Sequence, residues 1–75
     1  MTNTKMLRDK IEQSGYKLRF IADKLGITYQ GFLKKLNNET EFKASEIQAL
    51  YVLLNLNATE REAIFFTSVV DKTAT

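Results

Sequence analysis

The sequence predicts an all-α fold, one small domain of five short helices. Three observations carry this. Apolar residues recur at the i, i+3, i+4, i+7 spacing of a buried helical face in Leu18-Ile21-Ala22-Leu25 and again in Ile47-Leu50-Tyr51-Leu54. Gly15 and Gly26 stand where helices need a residue that closes them in a left-handed conformation. The 75 residues include no proline, so nothing breaks a helix.

The first helix is expected over about Thr4 to Ser14, capped by Asn3 or Thr4 and closed by Gly15. Leu7 and Ile11 share its inner face, with Met6 and Lys10 flanking. The second runs from about Lys17 to Leu25. Ala22 is small where the next helix must pass close, and Gly26 permits the positive φ of the turn. The third runs from about Thr28, a good N-cap, to Asn37. Phe32 and Leu36 point inward, and so should Ile27 in the turn. A polar loop follows over Asn37 to Glu41. The fourth helix spans about Ser45 to Leu54, where Ser45 and Gln48 match a capping box. The fifth spans about Ala58 to Phe66. Asn57 and Thr59 compete to cap it, Thr59 with Glu62 matches a second box, and Ala63, Ile64 and Phe65 or Phe66 form its apolar side. Residues 67–75 have little periodicity and read as a flexible tail, so the domain is expected over 1–66.

Composition narrows the chemistry. There is no cysteine and no histidine, which removes disulfides, the usual zinc ligands and the commonest acid/base catalyst. None of the nine carboxylates forms a paired cluster beside a nucleophile, so no enzyme, metal or cofactor is expected. No apolar run approaches the roughly 20 residues of a membrane span, and the first five residues do not open a signal peptide. A cytoplasmic protein, in a bacterium or a phage-infected cell, is the expectation. Net charge is only +2, but its distribution is uneven. Residues 1–43 carry nine Lys or Arg against five Asp or Glu, and residues 44–75 carry two against four. The positive part holds the second and third helices, which favours a polyanion on that side.

Residues 17–36, KLRFIADKLGITYQGFLKKL, are the most specific stretch. Two short helical patterns meet at Leu25-Gly26-Ile27, with Ala22 four residues before the glycine. That spacing describes two helices crossing steeply through a tight turn, with the second helix's end free to enter the major groove of DNA. Ile21-Ala22-x-Lys24-Leu25-Gly26-Ile27-Thr28-Tyr29-Gln30-Gly31, and Phe42-Lys43-Ala44-Ser45-Glu46-Ile47 after it, resemble the Cro/CI-type helix-turn-helix family of short phage and prophage regulators. The resemblance covers about residues 4–66. It implies a lambda-repressor-like fold and a sequence-specific, DNA-binding transcriptional regulator of Cro-like type.

The resemblance also assigns residues. Tyr29, Gln30, Gly31 and Lys34 fall where side chains reach base edges. A glutamine amide bonds adenine bidentately, worth roughly 1–3 kcal/mol of discrimination. Lys17, Arg19, Lys35, Asn37, Asn38 and Lys43 suit the DNA backbone. Two positions depart from the family pattern. Relatives often begin the second helix with Ser or Thr and then a phosphate-binding Gln, where this chain has Lys17 and Leu18. Many carry a polar residue at the position of Leu33. Phe20, Leu33, Phe65, Phe66 and Val69 form a candidate protein interface, the C-terminal ones as a seam between two copies, because two half-sites one DNA turn apart need a homodimer. The alternative reading is an antirepressor or modulator. Its helix-turn-helix face would bind a partner phage repressor and alter the genetic switch.

Overall fold

The computed structural model describes residues 2–65. They form five helices and no strand: α1 (Thr4–Ser14), α2 (Leu18–Leu25), α3 (Tyr29–Leu36), α4 (Ala44–Leu53) and α5 (Ala58–Phe65). The chain is all-α, as its periodicity predicts.

Local chemistry sets most boundaries. Asn3 caps α1 by accepting the Met6 N–H at 3.2 Å, and Gly15 closes it at φ 77°. Gly26 closes α2 at φ 73°, a backbone state that disfavours any side chain. Thr28 Oγ1 accepts the Gly31 N–H at 3.0 Å and so caps α3. Two boundaries differ from the expectation. Helix α4 begins at Ala44, and Ser45 with Gln48 does not cap it. Glu46 reaches back instead, and its Oε1 accepts the Lys43 N–H at 2.8 Å. At α5 the Asn57–Glu60 pair displaces the Thr59–Glu62 box. Asn57 Oδ1 accepts the Glu60 N–H at 2.8 Å while Glu60 Oε1 accepts the Asn57 N–H at 3.0 Å.

Helix α2 is the hub, packing on α3 and α4, while α1 lies on α5. The centre is made by Leu7, Ile21, Phe32, Leu36, Leu50 and Ile64, all essentially sealed from solvent. Three rings cross this core edge to face. Phe32 lies 6.2 Å from Phe42, and Phe42 lies 5.9 Å from Phe65. Phe65 therefore completes the core of this chain. It does not form a seam with another copy, because its ring is buried against Phe42. Phe66 and Val69, expected beside it, lie outside the described residues. Ile27 is half-buried, not enclosed, because the turn leaves one side of it open.

The ends of the domain are tied by polar contacts. The Asn3 N–H donates to the Ile64 carbonyl at 2.7 Å, and the Lys10 ammonium pairs with Glu60 between α1 and α5. No helix among the described residues is long and apolar enough to cross a membrane.

Candidate nucleic-acid interface

The connection from α2 to α3 is three residues, Gly26-Ile27-Thr28. Its brevity follows from the glycine, whose positive φ reverses the chain within a single residue. Beneath the pair, Ile21 and Ala22 from α2 and Phe32 and Leu36 from α3 are buried together, with Leu18 and Leu25 packed half-buried at their margin. Four inward positions on α3 and α2 fix which side of α3 faces out. Gln30 and Lys34 lie on that outer side and are exposed. No segment of the described chain covers them.

Gly31 is the third residue of α3, and a Cβ there would come within 3.0 Å of Thr28 Oγ1, the oxygen that caps the helix, so a larger residue would need the cap to shift by a few tenths of an ångström.

Arg19 and Tyr29 bring the two helices together at this edge. The Arg19 guanidinium lies over the Tyr29 ring, 4.2 Å from its centroid. Lys17, at the start of α2, is also exposed. Among the described residues no carboxylate pairs with Lys17, Arg19 or Lys34, so their charge is not neutralised by the fold itself.

Other expected backbone-contact residues are already engaged. Lys35 turns inward. Its ammonium pairs with Glu46 Oε1 at 3.0 Å, donates to the Glu41 carbonyl at 2.9 Å, and sits 5.8 Å from the Phe42 ring. Both partners of that ion pair are largely shielded, at 11% and 6% side-chain exposure, so Lys35 is a structural cation. Burial pushes the Glu46 carboxyl up. The Lys43 N–H bond and the Lys35 charge outweigh it and hold the group below its ordinary 4.5. Asn37 Oδ1 accepts from Arg8 Nη2 at 3.0 Å, and Asn38 Nδ2 donates to the Thr2 carbonyl at 3.3 Å. The two asparagines thus fasten the end of α3 to α1, through Arg8, and to Thr2 just before it. Asn38 does so at φ 60°, a state that asparagine tolerates better than most residues. Lys43 remains exposed at the start of α4.

A second surface lies on the outer side of α2. Phe20 is 40% exposed and stacks on Tyr16, also 40% exposed, at 5.0 Å between centroids. Lys24 lies over the same Phe20 ring at 5.3 Å. Leu33, by contrast, is half-buried and packed against the core. Tyr16 was invisible to the helical pattern because it sits in the connection before α2. The run of four-residue steps from Tyr16 to Phe20 and from Phe20 to Lys24 is the signal that finds it.

No family model, no curated protein and no solved structure matches this chain. Among the described residues no group of His, Cys, Asp and Glu is arranged to hold a metal ion.

Proposed function

We propose that this chain is a sequence-specific DNA-binding transcriptional regulator, similar to the short Cro-like repressors of phages and prophages, with α2 and α3 as its helix-turn-helix. The observation that carries the reading is the free outer edge of α3. Gln30 and Lys34 are exposed there above a sealed Phe32 and Leu36, beside an Arg19 and a Lys17 that have no carboxylate partner among the described residues. Such a pair of helices offers a neutral amide for base recognition on α3 and cations for phosphates at the start of α2.

In the mechanism that follows, Lys17, Arg19 and Lys43 take the DNA backbone and set the register. Gln30 and Lys34 enter the major groove. Gln30 offers adenine a donor and an acceptor together, which no phosphate contact can do. Two copies bind two half-sites roughly 34 Å apart and occlude a promoter. The test is enrichment of duplex DNA from a random-sequence library on the purified protein, followed by titration of the enriched duplex against a scrambled one. A reproducible consensus bound well above the scrambled duplex is the expected result. Enrichment of no sequence, with equal binding of both duplexes, removes the reading.

The exposed Tyr16–Phe20 pair favours a second reading, an antirepressor that binds a partner phage repressor. A pull-down against the repressor encoded nearby, with and without operator DNA, separates the two. An antirepressor captures the repressor without DNA, and a Cro-like regulator binds the operator without the repressor.

A further inference from the structure

We infer that Tyr29 works through Arg19. Its ring is a platform that holds the Arg19 guanidinium as a phosphate anchor, and it reads no base. This rests on the DNA-binding reading above and assigns roles within it. One face of the Tyr29 ring is covered by the Arg19 guanidinium at 4.2 Å. That face is no longer open to a thymine methyl, and the part of Tyr29 left exposed is what the test below must show to be idle. Arg19 itself is exposed and has no carboxylate partner among the described residues. A guanidinium held over a ring still has its N–H donors to offer, and a phosphate can take two of them in parallel.

The pairing joins the first turn of α2 to the first residue of α3. An arginine on a free side chain samples many rotamers, and fixing it on contact opposes binding. Fixing it beforehand on a ring that belongs to the next helix sets the phosphate contact relative to α3. The anchor then decides how α3 lies in the groove, and Gln30, one residue on, meets the bases in a set orientation. This chain has Leu18, not a polar residue, in the first turn of α2. Within that turn Arg19 is the cation, next to Lys17 just before it.

The experiment is a double-mutant cycle with R19A, Y29L and the R19A/Y29L pair, with Y29F as the conservative variant. The probe is the duplex that wild-type protein enriches from a random library, titrated across NaCl concentrations, with a scrambled duplex alongside. R19A and Y29L are each expected to weaken binding several-fold on both duplexes alike. R19A, which removes the cation, is expected to lower the salt slope by about 1, and Y29L, which keeps it, by less. The double variant is expected to bind no more weakly than R19A, and Y29F to bind as wild type. Independent, multiplying losses overturn the inference. So does a changed base preference in Y29L, or a loss in Y29F equal to that in Y29L, which would make the hydroxyl the contact. A second measurement needs neither DNA nor the variants' folding. In the free wild-type protein the Arg19 side-chain protons should show the upfield shift of a group held over a ring, and random-coil shifts overturn the platform. Wild-type protein that enriches no duplex removes the regulator reading and this inference with it, whereas enrichment with independent losses removes the inference alone.

Discussion

Gln30 and Phe32 stand two residues apart on α3 and do opposite work. Gln30 is exposed and touches nothing that the fold needs, so Gln30→Ala should leave thermal unfolding unchanged while weakening binding to the enriched duplex by about 1–3 kcal/mol. Unchanged affinity would take Gln30 out of the readout. Phe32 is sealed beneath it and lies edge-on to Phe42. Phe32→Ala should cost about 3–5 kcal/mol, as much as a domain of this size has in total, and circular dichroism should report an unfolded chain. Glu46 adds a dependence on pH. Its folded carboxyl titrates below the ordinary 4.5, so its contribution is complete above that value and is lost as pH falls through the lower folded one. Chemical denaturation at pH 6 and pH 3 should show the loss. Glu46→Gln should lower stability at pH 6 by about 3 kcal/mol, because Lys35 keeps its shielded charge without an ionised partner. The same substitution flattens the acid limb only in part. Glu60, held low by the Lys10 ammonium and the Asn57 N–H, titrates in the same direction.

At the scale of the element, start and stop chemistry was readable wherever one residue decides it. Gly15, Gly26, Thr28 and Asn3 each act as their type predicts. Thr28→Ala should therefore remove about 1 kcal/mol, measured as a lower urea midpoint with an unchanged slope. The sequence was ambiguous at α5, where two caps competed, and misleading at α4, where Ser45 has the right side chain; in both the bond that forms starts two residues earlier, at Lys43 with Glu46 and at Asn57 with Glu60. For Glu46 the advantage is that the same carboxylate also meets Lys35, and that partner comes from another helix. Spacing within α4 carries no trace of it. The same limit explains Lys35, Asn37 and Asn38. Each has the residue type of a phosphate contact and lies on a basic helix end. Their partners Glu46, Arg8 and Thr2 are distant in the chain and became visible only once it folded.

For the whole molecule, charge decides the expected response to salt. Net charge is only +2, too little to attract DNA by bulk potential. On the proposed function, binding comes from a few local contacts, and each phosphate neutralised contributes about −0.9 to the slope of log affinity on log salt. Three anchors, Lys17, Arg19 and Lys43, with Lys34 in the groove, predict a slope of roughly −3 to −4 per copy. A flat salt series would exclude phosphate contacts. The seam between copies is no longer assignable to Phe65, whose ring is used inside the domain. Sizing the protein alone and on the enriched duplex tests the homodimer directly.

Periodicity and composition were enough for the number of helices, the inward faces of α1, α2 and α3, and the turn at Gly26, because those depend on residues within a few positions of one another. Folding was needed to sort the polar residues. It placed Lys35 inside, bound Asn37 to Arg8 and Asn38 to Thr2, laid Arg19 on Tyr29 and left Phe20 stacked outside on Tyr16. Whether a charge or an amide is free to meet a partner depends on what lies opposite it in space, and that neighbour can be any distance away in the chain.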